Sequence, residues 1–380
     1  MNTYRRWDLQ PVSGTGARLF DEEGRAYIDC VAGIAVASVG HTHPVLTEAI
    51  KSQAAKLVHV SNLYHTAPAE DLAAELAALT GGMHTFLCNS GAEAIEAAIK
   101  LARKWGRSRG RHRIVAAEGG FHGHTLGALA ATGQPAKRAA FEPLPPGFSH
   151  VPFGDASALE SAVDGSVAAV LLEPIQGEAG VVVPPEGYLT AAKSACARSG
   201  ALLILDEVQT GVGRTGAWWA HQHESVAPDV MCIAKGLAGG LPIGACLAAP
   251  EVAATFEPGD HGCTFGGGPV QAGAALAVLE IIASEGLLER AKSAGEVLML
   301  GLTSIFGDAA VVRGRGLLIG VELAEPKAHA VAEAALQRGL LVNDATPRVV
   351  RLTPPLVITE DDLHEALEIL EEVAIATGTA

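Results

Sequence analysis

No stretch of eighteen or more uncharged apolar residues occurs in the chain; its most apolar segment, AGAALAVLEIIA, is broken by Glu280 and reads as a buried helix rather than a membrane span. The opening MNTYRRWDLQPV lacks the apolar core of a signal peptide, so neither secretion nor membrane attachment is expected. Cysteine is sparse. Six residues (Cys30, Cys88, Cys196, Cys232, Cys246 and Cys263) lie scattered without CxxC spacing or a small-scaffold framework, and the expectation is reduced thiols in the cytoplasm. Aromatic residues reach only 4%, so the core must be built mainly from Ala, Leu, Val and Ile. There is no long Lys/Arg run, and a net charge of -15 disfavours any role that neutralises many phosphates, so no nucleic-acid partner is expected. Internal repeats, low-complexity tracts and long linkers are missing as well.

What is present is a globular balance of 49% hydrophobic and 18% charged residues over 380 positions, room for two or three domains. From about residue 85 to 250, short apolar runs (TFLCN, RIVAAE, AAVLLEP, ALLILDE, VMCIAK, GACLAAP) alternate with helix-like stretches such as AEAIEAAIKLARK and YLTAAKSACARS. That alternation predicts an α/β fold with a mainly parallel sheet, its strands apolar because both faces are covered. Ligands of such sheets sit beyond the carboxyl ends of the strands, where this chain places much of its Gly, Ser, Asp and His. After a long apolar helix from about Pro269 to Ala283 the pattern turns to α+β, with hairpin-like VVRGRGLLIGVEL, a strand near VVRLTPP and a final amphipathic helix. The expected layout is an N-terminal segment (1–50) packing with a small domain, a large domain (51–284), and a C-terminal small domain (285–380).

Three places in the large domain invite chemistry. Ser90, Gly91 and Ala92 sit between a strand and a helix, where free amides and the helix dipole can hold a phosphate, although Ser90 with Glu93 also fits an S-x-x-E capping box. Asp206 ends the buried run ALLIL, so its carboxylate needs a cation or an N–H; a salt bridge or helix cap would also explain it. Lys235 follows VMCIA and precedes a glycine loop; of nine lysines it alone is so enclosed. A desolvated amine becomes a nucleophile toward carbonyls, whereas a snorkelling lysine would be inert. Three His-x-His pairs (His41/His43, His122/His124, His221/His223) raise a metal site, but ligand number and spacing are unmet, and no metal is expected.

Taken together and in chain order, NSGAEA, GGFHGHT, EPIQGEAGV, DEVQTGVGRTG, AKGLAGGLPIGA, HGCTFGGGP and RLTPPLVI resemble the class III (ornithine-type) aminotransferases, fold type I enzymes that use pyridoxal 5'-phosphate. The resemblance covers essentially the whole chain. It implies that Lys235 bonds the cofactor and then shuttles a proton, that Asp206 keeps the pyridine nitrogen protonated, and that Gly91 and Ala92 donate to the phosphate beside Ser90. It further implies that Phe121 stacks on the ring and Gln209 lies near the phenolic oxygen. Thr264 would reach the phosphate of a second subunit, making a homodimer with shared sites. Arg351 would take the α-carboxylate of glutamate, Glu178 would neutralise it when a carboxylate-free end enters, and Tyr4 would meet the distal end of the substrate.

Within the class, TGQPAKR and FEPLPPGFSHVPFG look most like the enzymes acting on N-acetylornithine, those acting on putrescine second. The implied reaction moves a terminal amino group to 2-oxoglutarate, as in arginine biosynthesis, with a diamine or other ω-amino acid as the alternative donor. Two departures stand out. His124 occupies the place of an arginine that grips the distal carboxylate, and an imidazole is titratable and lacks the bidentate fork. Gly268 replaces the usual asparagine of a GGNP segment. A nucleotide-binding module would use the glycine turns but leave Lys235 and Asp206 unexplained.

Overall fold

The computed structural model describes residues 1–380. The strands in chain order are β1 (Ser13–Thr15), β2 (Arg18–Phe20), β3 (Ala26–Asp29), β4 (His84–Cys88), β5 (Arg113–Ala117), β6 (Phe148–Val151), β7 (Val167–Leu172), β8 (Leu202–Asp206), β9 (Val230–Ile233), β10 (Gly244–Ala248), β11 (Ala310–Arg315), β12 (Leu318–Leu323), β13 (Leu340–Leu341), β14 (Asn343–Thr346) and β15 (Val349–Leu352). A seven-stranded sheet in the order β4-β10-β9-β8-β7-β5-β6 forms the centre. Six of its strands run in one direction; β10, antiparallel to both β9 and β4, alone is reversed. The expected mixed α/β architecture with a large, mainly parallel sheet is the one observed. All six apolar runs are strands of this sheet; the seventh, β6, is Phe148–Val151, whose FSHV sets two polar residues between its apolar ends at the sheet edge and carries no buried-strand signature.

Two four-stranded sheets complete the architecture: β11-β12-β15-β14, wholly antiparallel, and β1-β2-β3-β13, in which β13 pairs parallel to β3. Arg18 of β2 also pairs with Asp362 and Glu365 on the final helix, Glu360–Thr377. The apolar helix Pro269–Ser284 buries nine residues, among them Val278, Leu279, Ile281 and Ile282, which accounts for apolarity nearly all round. No single helix is long and apolar enough to cross a membrane. All six cysteines are unpaired.

The direction of the strands dictates where function can sit. The carboxyl ends of β4, β5, β7, β8 and β9 lie on one edge of the sheet, so Ser90, Phe121, Glu178, Asp206 and Lys235, each following one of these ends, are gathered there by topology. Arg214, buried and without a carboxylate partner, donates from Nη1 to the carbonyls of Leu317 (3.0 Å) and Pro354 (2.5 Å) and so ties the loop after β8 to the strands of the smaller sheet. Burial pushes its guanidinium down to about 10.

The hairpin turn between β11 and β12 is pressed against helix Leu287–Phe306 at a point where both backbones are glycine. A Cβ on Gly295 would lie 2.2 Å from the Gly316 carbonyl oxygen, and Gly316 itself has φ +55° and stands against Thr215. Backbone cannot retreat as a side chain can, so Gly295→Ala should lower the unfolding free energy by about 1–3 kcal/mol, seen as a lower urea midpoint. An unchanged midpoint would mean that the turn is free to move.

Candidate active site

The edge so defined is hollow. A cavity of about 570 Å³ opens there, lined by Ser90, Gly91, Ala92, Phe121, His124, Glu178, Asp206, Gln209 and Lys235, together with His122, Glu173 and the run Gly240–Ile243. Eight of the residues singled out in the sequence as cofactor ligands or substrate contacts before position 210 are therefore brought to one wall or another of a single space. Arg351 stands immediately behind it, joined to Glu178.

Lys235 follows β9 with φ at +43°, a left-handed conformation that costs a lysine free energy and persists only where the surroundings enforce it. The side chain is set deep in protein yet remains partly open to the cavity. Burial pushes its amine below the usual lysine range, against the opposing pull of Glu178. The amine is thus more readily neutral than a surface lysine and can act as nucleophile or base.

Asp206 closes β8 and is 4% exposed. Its Oδ1 accepts the Val208 N–H at 3.0 Å, and its Oδ2 lies 2.8 Å from His122 Nδ1. Burial disfavours the imidazolium of His122, but the bond and charge of Asp206 outweigh it and raise the ring above the ordinary histidine range. His122 Nε2 is buried without a partner. Beneath, Glu173 accepts from the amides of Phe121 (3.0 Å) and Gly177 (3.1 Å), and burial lifts its carboxyl to about 7. Neither His122 nor Glu173 was singled out for this role from sequence; the available signal was that Glu173, like Asp206, is an acid placed directly at the end of a buried apolar run.

Helix Gly91–Arg107 starts at the cavity. Ser90 Oγ accepts the Glu93 N–H at 3.2 Å, which is the forward half of the capping box; the return half goes one residue further, Glu93 Oε2 accepting from Asn89 N–H at 2.6 Å. The amides of Gly91 and Ala92 lie in the first turn, where no intrahelical acceptor exists. A Cβ on Gly91 would lie 2.8 Å from Val208 Cγ1, so the glycine is needed for the close approach of the two loops.

Arg351 on β15 is 1% exposed and has several acceptors. Nη1 donates to Glu178 Oε1 at 2.6 Å, to Gln209 Oε1 at 3.1 Å and to the Gly177 carbonyl at 3.0 Å, while Nη2 donates to Asn343 Oδ1 at 2.7 Å. Gln209 Nε2 in turn reaches Glu178 Oε1 at 3.3 Å. Burial by itself would raise the Glu178 carboxyl, but the charges of Arg351 and Lys235 reverse the effect and hold it at about 2. Asn343 is a further partner that sequence reasoning missed.

His124 is exposed at the mouth of the cavity, its ring 5.1 Å from that of Phe121 in an edge-on contact. Thr264 and Tyr4 do not join the cavity of their own chain: both are exposed, Thr264 on a separate cleft beside Cys263 and Phe265, and Tyr4 in the extended N-terminal segment. The His-x-His pairs diverge, His41 bonding Asp29, His43 Glu285, His221 Glu207, His223 the Thr215 carbonyl, and His122 Asp206.

Comparison with known proteins agrees with this arrangement over the entire length. Residues 3–374 match the model of the family "Aminotransferase class-III". The chain is 54% identical over 368 residues to the acetylornithine aminotransferase of Mycobacterium tuberculosis strain H37Rv, covering 96% of this chain and 91% of that one. It is 50% identical over 381 residues to the acetylornithine aminotransferase of Methanopyrus kandleri, covering 100% and 97%. An ornithine aminotransferase structure from Toxoplasma gondii, described with partial occupancy of PLP at its active site, superposes with a TM-score of 0.96 at 33% identity over 99% of this chain and 92% of that one. With a lysine, a buried carboxylate and an open helix N-terminus converging on one cavity, and with that match running from end to end, the chain belongs to the class III aminotransferases.

Proposed function

We propose that the protein transfers the terminal amino group of N-acetylornithine to 2-oxoglutarate, giving N-acetylglutamate 5-semialdehyde and glutamate, a step of arginine biosynthesis. The observation that carries this reading is the Glu178–Arg351 pair on the cavity wall beside Lys235. One pocket must admit the charged α-carboxylate of glutamate in one half-reaction and the uncharged methylene next to a terminal amine in the other. Arg351 offers the first a cation, and Glu178 cancels that cation for the second. The names of the relatives support the same donor.

The residues present fit pyridoxal 5'-phosphate, the cofactor of the family. The first amides of helix Gly91–Arg107 with Ser90 would hold its phosphate, Lys235 its carbonyl carbon, Asp206 its ring nitrogen, Phe121 the ring face and Gln209 the phenolic oxygen. When bound, the cofactor supplies an electron sink for negative charge at the substrate carbon bearing nitrogen. Asp206, held from behind by His122 at 2.8 Å, would accept a hydrogen bond from that ring nitrogen and favour its proton. Lys235 Nζ would take the proton from the substrate carbon and return it, work suited to an amine whose proton affinity burial has lowered.

The distal carboxylate of the substrate would meet His124 at the rim. Lys137 Nζ stands 5.0 Å over the Phe121 ring that His124 also contacts, so its ammonium would bring beside His124 the positive charge that a single arginine would otherwise supply. Two copies of the chain would share their sites, which accounts for Thr264 being exposed and outside its own cavity. The exposed apolar Leu63, Tyr64 and Phe265 beside the adjoining cleft support that pairing. Six unpaired thiols support a cytoplasmic location.

A panel of amino donors with 2-oxoglutarate tests the reaction. N-acetylornithine should be the best donor, with glutamate as product, and His124→Arg should lower its KM without loss of kcat. Strong putrescine turnover with little use of N-acetylornithine would replace the proposed donor. Sharing of sites is tested by mixing a Lys235→Ala chain with a Thr264→Ala chain under conditions of subunit exchange: a mixed dimer has one site with both groups intact, so activity should exceed that of either parent, and no recovery would mean that each chain builds its own site.

The ion pair also makes an acid-stability prediction. Glu178 has its carboxyl lowered from 4.5 to about 2, so its stabilising contribution is present above pH 4.5 and is lost as pH falls toward 2. That contribution is at most about 3 kcal/mol. Glu178→Gln should therefore be less stable than the parent at pH 6 by up to that amount, and urea denaturation should show the gap narrowing below pH 4.5 and closing only toward pH 2. A gap independent of pH would mean that the loss is one of packing.

A further inference from the structure

The opposite end of helix Gly91–Arg107 carries an unusual concentration of charge. Of the 27 Lys and Arg residues in a chain of net charge -15, six fall between positions 103 and 113: Arg103, Lys104, Arg107, Arg109, Arg111 and Arg113. Three of them are accounted for. Lys104 pairs with Glu257 and Asp260, Arg113 with Asp164, and Arg109 lies over the Trp105 ring at 4.1 Å. The remaining three, Arg103, Arg107 and Arg111, have no carboxylate partner, and they converge with His112 on a cleft of about 580 Å³ that contains no hydrophobic residue. Cations in the last turn of a helix are favoured by its dipole, which explains Lys104 and Arg107 but not three guanidiniums turned to one space without an anion.

A second observation points to a ligand. The Nε of Arg103 and the Nε of Arg111 are buried donors with no acceptor, whereas buried N–H groups are ordinarily satisfied. Both side chains are held in place by one arm only: Arg103 Nη2 donates to the Pro146 carbonyl at 2.5 Å and Arg111 Nη1 to the Val167 carbonyl at 3.3 Å, leaving the rest of each fork unused. Arg103 is further fixed over the Phe148 ring at 5.0 Å. These are preset forks. A planar guanidinium presents paired donors that match phosphate oxygens, and three such groups match more than one phosphate.

We infer that this cleft binds a compact polyanion of the diphosphate class, free or as the terminal group of a larger molecule, at a site separate from the catalytic cavity. The lining carries no large apolar side chain against which a ring or an acyl chain would pack, so recognition is centred on the anion. The two sites lie at opposite ends of one helix of 17 residues, about 25 Å long, and on opposite edges of the central sheet.

The test is calorimetric titration of the cofactor-loaded enzyme, whose own phosphate cup is filled, at fixed ionic strength, with inorganic diphosphate, orthophosphate and ADP. Diphosphate should bind at one site per chain and more tightly than orthophosphate. ADP binding as tightly as diphosphate would identify the anion as recognised at the end of a larger molecule, and ADP failing to bind would identify the free ion; either supports the site. Arg107 is exposed and donates no hydrogen bond, so Arg107→Gln and Arg107→Glu should fold normally and weaken diphosphate, the charge reversal by about tenfold or more. Arg198→Gln, on a surface arginine paired with Glu160, should leave binding unchanged. The proposal is overturned if diphosphate does not bind, if its affinity is indifferent to both Arg107 variants, or if a duplex oligonucleotide binds this face and diphosphate does not displace it.

Discussion

The site depends on how a buried guanidinium is kept in balance. Arg351 is carried by the smaller antiparallel sheet and Glu178 by the loop after β7 of the large one, so the bond between them, the recognition element in the proposed reaction, is also a joint between two separately built layers. A lone buried cation would be expensive, and the structure surrounds this one with a carboxylate, two side-chain amides and a main-chain carbonyl. Gln209 holds both members at once and therefore fixes the angle at which the pair meets. Three of the four acceptors do not depend on Glu178, so under the proposed function an exchange of its carboxylate for that of a substrate would leave Arg351 with polar contacts throughout.

Asp206 shows the same logic with the sign inverted. Its buried carboxylate lies 2.8 Å from His122 Nδ1, and that bond and charge raise the imidazole above the ordinary histidine range against the effect of burial. Glu173 sits below them with a proton affinity raised by its surroundings, so the floor of the cavity contains several titratable groups whose charges are set by one another rather than by solvent. The polar floor is apolar on its outer side: β7 and β8 are buried at every position.

Much of this was legible in the sequence because two physical signals coincide there. Strands covered on both faces are written as unbroken apolar runs, and a charged residue at the end of such a run is conspicuous; Asp206 and Lys235 stand out for that reason, and the mainly parallel character of the sheet follows from the alternation with helices. What was not legible depended on partners distant in the chain. β6 is an edge strand with Ser149 and His150 at its centre, so it lacks an apolar run. His122 looked like half of a histidine pair, since nothing in GGFHGHT announces that its ring will turn toward a carboxylate 84 residues away. Thr264 and Tyr4 illustrate a different limit: both were read as site residues from the resemblance alone, and in the single chain both are exposed and outside the cavity.

The lone reversed strand of the central sheet has a consequence for the economy of the chain. Had β10 been parallel to β9, the polypeptide leaving Ile233 would have had to cross to the far edge before starting again, and the lysine loop would have become the first turn of a crossover. Because β10 runs the other way, the chain passes Lys235, stays on the reactive edge through Gly240–Ile243, and only then descends. One short arch thus furnishes both the nucleophile and the wall facing it, anchored at each end by a strand in the same sheet. Whatever moves one end of that arch must move a hydrogen-bonded strand, so the amine and its opposing wall are held in register by the sheet itself.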